Sequence, residues 1–568
     1  MAARLIGLWG SEQVLGPRVH GTLIIRRTGW GWTAEIAGRK TAVRIAGDSV
    51  TLSLPGGEGE LRATLSPDRR RIAGQWIQPV PSGNILRYTS FVSLTAAPAS
   101  GGPAREWRGV VQPLEDRLSL YLLVDRQPDS SLTALLRNPD GKQRDAQLRV
   151  ALDDAQLRLT DLRDSTRQLE GAYDSRADVV TLHLADLGTA AVLTRRDRTH
   201  AAGFYPHPPA PARYTYRRPA DDGDGWPVAI AADAGMDAAP LAALVQRLWD
   251  VDPAARDAPL VHSVLVARHG KLVLEEYFFG FDRERPHDLR SASKTFASVL
   301  LGAAMEHGAR VSPEDRVYAL MPEYAATADA DPRKRDMTVE HLMTMTSGLP
   351  CDENGDQTLP GNEDAMQSDT TQLDWYRYML DLPLAHAPGT FVGYCSGGVN
   401  LVGGIVRRVT GTWLPALFQR DIAEPLGFRD YHLDLTPTGE FYLGGGAYLR
   451  PRDLLKLGQV YLDGGAWRGR RIVSRAWVER STTCQVYVAS RCADGYDWHL
   501  NEIRAGDRVY REYEANGNGG QFLIVLPELD LAVVFTAGNY RRYGIWRTFR
   551  DELVPLYIIA AVKPSAAR

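Results

Sequence analysis

The chain has 568 residues, 44% hydrophobic and 24% charged, with a net charge of −3 and a pI near 6.5. That length predicts two to four domains with true cores and excludes a chain that is disordered overall. The near-neutral balance gives no electrostatic case for nucleic acid or an anionic membrane as partner, and no stretch of about 18 apolar residues marks a membrane span.

Residues 4 to about 200 read as β structure: GTLIIRR, TAVRIAG, VTLSLPG, LRATLSP and LSLYLLVD alternate apolar and polar residues between Gly, Pro and Asp breaks. LWGSEQ near the start echoes EWRGVV about 98 residues later, which predicts two similar barrel or sandwich modules over about 1–100 and 101–202. Chance likeness between β-meanders is the rival explanation. Residues 203–227 are rich in Pro and Asp and read as a linker. On that reading, removal of residues 1–210 leaves a soluble second domain. PLAALVQRLWDV then reads as a helix, and VHSVLVARHGKLVLEEYFFG as a hairpin turning at His269–Gly270. Helical and β segments alternate from there to about residue 562, followed by a 563–568 tail. The expected fold class is therefore multidomain, with an N-terminal all-β region followed by an α/β region over 228–562.

Four cysteines, Cys351, Cys395, Cys484 and Cys492, form no CxxC pair, and no His cluster has metal-ligand spacing. Cys484 and Cys492 suit a short-loop disulfide or two unpaired small residues equally well. MAARLIGLWG is too short and too quickly polar for a signal peptide, so a cytosolic protein and an exported one with its signal trimmed both stay open.

RSASKTF at 290–296 carries one of only seven lysines, against 59 arginines. Lysine, unlike arginine, can lose its proton near neutral pH. SASKTFASVLLGAAMEHG reads as a helix stopped by Gly308, with Ser291 at its start and Lys294 three residues on, on the same face. The helix dipole disfavours a charged lysine there, and partial burial would push in the same direction. A neutral amine beside a hydroxyl is a general base beside a nucleophile. The bland alternative is an N-cap serine with a solvated lysine. Ser298 is a rival partner for Lys294, while Ser293 points away.

The segments that follow are TVEHLMTMTSGL, PGTFVGYCSGGVNLVGGIVRRVTG, EPLGF, YLRPRDLLKLGQVYLDGG and ANGNGGQFLIVLPELDLAVVFTAGN. Their order and spacing resemble the serine β-lactamase-like hydrolases: class C β-lactamases, family VIII esterases, D-aminopeptidases and 6-aminohexanoate-dimer hydrolases. The resemblance covers about 228–562 and implies an antiparallel sheet flanked by helices. It makes Ser291 the acylated nucleophile, Lys294 its partner, and Tyr394 of Tyr394-Cys395-Ser396 the second acid/base group. Ser396 stands where β-lactamases carry asparagine, and is expected to border the substrate. Cys395 is read as packing. The third motif of the family falls at Ala515-Asn516-Gly517, without its usual lysine or histidine. Gly517, Gly519 and Gly520 are expected to let backbone approach the acyl group, Asn516 to border the substrate, and the N–H groups of Ser291 and Asn518 to form the oxyanion hole. Tyr442, in a Gly-rich stretch, is a further binding candidate. Asp374-Trp375-Tyr376, Tyr496-Asp497-Trp498 and His341 are read as structural.

Together these imply a serine hydrolase of a small carboxylic ester or linear amide, without metal or organic cofactor. The YCS motif and the missing lysine rank β-lactam or D-amino-acid peptide substrates lower. A non-catalytic ligand-capture or sensor protein is the alternative from another class, against which the intact Ser291, Lys294 and Tyr394 stand. Relatives of this kind are often exported, which tips the expected compartment towards periplasm or secretion. Self-association of the chain stays open.

Overall fold

The structure, a computed structural model, describes residues 2–29, 31–82, 84–96, 106–141, 145–488 and 491–563, with the side chains of 2 and 491–493 outside the description. The expected module boundary near residue 100 and residues 564–568 of the tail lie outside the described residues.

The alternating segments form two antiparallel β-barrels rather than sandwiches. In one, Gly7–Gly16 pairs with Asp116–Arg126 and with Thr189–Arg195, closing an eight-stranded ring. Alternate residues Leu118, Leu120, Leu122 and Val124 fill its interior, as the two-residue period of a strand requires. In the other, the strands from Gly21–Thr28 to Arg87–Ala96 close through Glu106–Val111, which pairs with both of those end strands. LWGSEQ therefore lies in the barrel built mainly from residues 116–195, and EWRGVV in the barrel built mainly from residues 21–96. The echoed strands are exchanged, so neither barrel is one continuous stretch of chain.

Residues 203–227 are docked rather than free. Tyr214 Oη donates to Glu276 Oε1 at 2.7 Å and Tyr216 Oη to the Val273 carbonyl at 2.7 Å. Trp226 is buried and its Nε1 donates to the Arg452 carbonyl at 3.1 Å. Three aromatic rings supply the anchoring that a Pro/Asp-rich composition conceals.

The α/β region is built on an eight-stranded antiparallel sheet, running from Lys271–Tyr277 and Val261–Arg268 at one side through Leu531–Ala537, Gln521–Leu526 and Arg508–Gly517 to His499–Ala505 and Val486–Val488. One face packs Val264, Val266, Ile524 and Val533 against helix Ala238–Trp249 and the C-terminal helical segment Phe549–Ile559. The other packs Leu265, Leu523, Val525 and Val534 against helices Thr295–Glu306 and Pro451–Leu462. Burial of both faces explains why these strands read as unbroken apolar runs. The hairpin turn is the two-residue His269–Gly270, both with positive φ (52° and 69°), which matches the twist of the flanking strands.

The two regions share a sheet. Strand His432–Leu435 of the α/β region pairs with Arg87–Ala96 of a barrel, and Ala447–Leu449 and His287–Asp288 extend that sheet. Between these strands runs the Gly-rich loop that reaches Lys294.

Candidate active site

Ser291 lies in a 3-10 turn, Arg290–Lys294, ahead of the long helix Thr295–Glu306 rather than at its first residue. Arg290 holds φ 50°, a left-handed conformation that costs a non-glycine residue about 1–3 kcal/mol and marks a held turn. Gly517 braces it: a Cβ there would lie 2.2 Å from the Leu289 carbonyl oxygen and 3.1 Å from the Ala292 nitrogen. Only glycine lets the strand Arg508–Gly517 approach so closely.

Lys294 is buried, with Nζ 3.1 Å from Ser291 Oγ and donating to the Gly444 carbonyl at 2.5 Å. Its Nζ sits 4.8 Å from the centre of the Tyr394 ring. Burial pulls the ammonium pKa down, but Tyr394, Glu353 and Glu363 outweigh it and carry the pKa above the ordinary lysine value. The neutral lysine anticipated from burial and the helix dipole is thus opposed by acidic neighbours that lie far off in the chain. The Tyr394 phenol is pushed up by burial, against the pull of Lys294 and of a hydrogen bond with Ser291.

Tyr394 sits just before helix Ser396–Thr410, and Cys395 occupies the position ahead of its first residue. Cys395 is not mere packing: it forms a disulfide with Cys351, with Cα atoms 5.4 Å apart. The bridge ties the segment after TSGLP to the residue beside Tyr394. Cys484 is also disulfide-bonded.

That same segment brings in Glu353, which the sequence reading missed. Its Oε1 accepts from the Ser396 N–H at 2.8 Å and the Glu363 N–H at 3.2 Å, and its Oε2 accepts from Ser396 Oγ at 2.6 Å. The Glu353 N–H in turn donates to the Tyr394 carbonyl at 3.0 Å. Burial raises the Glu353 pKa, aided by Glu363 and opposed by Lys294 and the Ser396 bonds. Ser396 is therefore fully buried against Glu353 and does not line the cleft, contrary to its expected place beside substrate. An acid directly after TSGLP-Cys-Asp was the available signal. Tyr442 is buried, donates to Glu363 Oε1 at 2.6 Å and meets the edge of Trp375.

Ser291, Tyr394, Tyr442, Gly444, Asn516 and Asn518 line one cleft of about 2050 Å³. Asn516 Nδ2 donates to Glu514 at 2.9 Å, and Asn518 Oδ1 accepts from the Arg541 N–H at 2.7 Å. Gly517 braces the nucleophile turn from behind. A Cβ on Gly519 would strike Tyr540, and one on Gly520 would strike Phe549. Ser298 is fully buried and apart from the cleft lining, while Ser293 Oγ accepts from the Ala447 N–H at 3.0 Å. His341 forms a capping box with Thr338, and Asp374 caps helix Trp375–Asp381. Trp375, Tyr376, Tyr496 and Trp498 are buried. Barrel residues Ile85, Tyr88 and Val110 form part of the cleft wall. Among the described residues no group of three or more His, Cys, Asp and Glu is placed to hold a metal, and no helix is long and apolar enough to cross a membrane.

The sequence matches the model of the Beta-lactamase family over residues 241–543, more than half of the chain. The chain belongs to the Beta-lactamase family. Its curated relatives are hydrolases by name. It is similar to the 6-aminohexanoate-dimer hydrolase of Paenarthrobacter ureafaciens, with 29% identity over 42% of this chain and 61% of that one. It is also similar to Esterase EstB of Burkholderia gladioli, with 30% identity over 34% of this chain and 52% of that one. The match thus spans little more than half the length of these relatives. A family VIII carboxylesterase of known structure aligns over 58% of this chain and 96% of its own, at 17% identity and a TM-score of 0.43. This Beta-lactamase-family chain carries its sheet between helical layers. The two barrels lie outside the matched region.

Proposed function

We propose that this protein is a serine hydrolase that cleaves a carboxylic ester or linear amide through an acyl-enzyme on Ser291. The observation that carries this reading is that Ser291 and Tyr394 line one cleft with Lys294 Nζ buried 3.1 Å from Ser291 Oγ. The Lys294/Tyr394 pair loses one proton to become the base that accepts the Ser291 proton. Ser291 Oγ then attacks the carbonyl carbon. The N–H groups of Ser291 and Asn518 are assigned to the oxyanion, a role worth about 3–4 kcal/mol per donor in other hydrolases. Tyr394 returns a proton to the leaving group.

The names of the two curated relatives support the ester and linear-amide ranking. So does Asn516, which stands where the third motif usually carries a lysine or histidine. The Cys351–Cys395 bridge supports an oxidising compartment. In this proposal residues 1–202 act with the 228–562 unit, because the barrels wall the cleft.

The test is hydrolysis of a p-nitrophenyl short-chain ester by wild type and Ser291→Ala. Activity abolished in the variant is expected. Activity that persists would mean another nucleophile, with Ser298 next. A wild type silent on esters, amides, peptides and β-lactams would favour ligand capture.

A further inference from the structure

Deacylation needs a base placed for the water, which must lose a proton as it attacks the acyl carbon. His499 stands in the cleft with Ser291 and Tyr394. It begins the strand His499–Ala505, two strands from the edge of the sheet, where its register partners are Asp494 on one side and Glu514 on the other. Asp494 Oδ1 lies 2.6 Å from Nδ1. That contact fixes the tautomer with the proton on Nδ1 and leaves Nε2 as the acceptor. Among the described residues no protein group bonds Nε2. The imidazole lies nearly parallel to the Tyr394 ring, at 18° with centroids 6.5 Å apart. A base held by a carboxylate on one nitrogen, in the same cleft as the acylated serine, is the pairing that activates a nucleophile in hydrolytic triads.

We propose that His499, oriented by Asp494, is the catalytic base of deacylation. The inference rests on the hydrolase reading. Water gives its proton to His499 Nε2 as its oxygen bonds the acyl carbon. The tetrahedral intermediate then collapses, the bond to Ser291 Oγ breaks, and Oγ takes a proton from the Lys294/Tyr394 pair. His499 then passes its proton through solvent back to the Lys294/Tyr394 pair, which returns to its starting state. The charged groups around the ring suit this: burial lowers its pKa, Asp494 and Glu514 more than restore it, and Lys294 opposes them. A ring so placed is a stronger base than an unperturbed histidine. Two other histidines of the cleft lining are committed elsewhere: His287 bonds His262 at 2.8 Å, and burial holds both His287 and His432 neutral, at about 3.

The test is pre-steady-state hydrolysis of p-nitrophenyl acetate by full-length wild type, His499→Gln and Asp494→Asn. Expected for His499→Gln is a burst of one p-nitrophenol per chain, a kcat at least 100-fold lower, and a kcat/KM within a few-fold of wild type. Hydroxylamine, which needs no such base, should restore turnover. Asp494→Asn should show a weaker form of the same split. Equal falls in kcat and kcat/KM without a burst would overturn the assignment, as would an unchanged kcat. If His499→Gln failed to fold, Asp494→Asn and the hydroxylamine effect would decide. A silent wild type would end the hydrolase reading and this one with it, an outcome distinct from any split between kcat and kcat/KM.

Discussion

Glu353→Gln is the most informative single change, because it removes a charge and keeps the shape. Both Glu353 oxygens are taken by Ser396 and the Glu363 N–H. It therefore acts on Lys294 as a nearby charge rather than a contact pair. A close charge moves a pKa by about 1–3 units, and without contact the lower end applies, about one unit or 1.4 kcal/mol. The sign follows from what the pair binds. Glu353 favours the ammonium and raises the Lys294 pKa; without that charge the pair gives up its proton more readily. The rising limb of log(kcat/KM) against pH should shift about one unit towards lower pH. The plateau should fall about 3- to 10-fold, from one weakened charged hydrogen bond of about 1 kcal/mol and a weaker base. A steady-state pH profile from 5 to 10 for wild type and variant reads both. A limb that stays put, or moves towards higher pH, would refute the electrostatic role given to Glu353.

Three further outcomes follow from the same contacts. Tyr394→Phe should cost about 10²–10⁴ in kcat/KM; unimpaired acylation and deacylation would remove Tyr394 from the proton path. Cys351→Ser opens a loop of 44 residues, so urea denaturation should show a loss of up to about 4 kcal/mol, and an unchanged midpoint would show that the bridge constrains nothing. Removal of residues 1–210 strips strand Arg87–Ala96 from His432–Leu435 and takes Gln75 from Tyr431, to which it donates at 2.9 Å. The bared sheet edge should make the truncated chain aggregate on size exclusion or lose ester hydrolysis, whereas a monomeric, active product would restore the independent-domain expectation.

What the sequence by itself determined is local or serial. Ser291 and Lys294 are three residues apart, so any helical turn puts them on one face. The run of segments from TVEHL to NGNGG names the family because their order survives without knowledge of contacts. The strands of both barrels were legible because a two-residue alternation is written in the chain. What only the tertiary structure decided depends on pairing across long separations. The exchanged barrel strands meet partners about a hundred residues away, and no local pattern says which sheet a strand will join. Glu353 reaches Ser396, Cys351 finds Cys395 and His499 faces Tyr394 only once the sheet and helices have packed. The charge state of Lys294 turned on those same approaches: the sequence placed an amine near a helix start, and folding buried it and set three acidic groups around it.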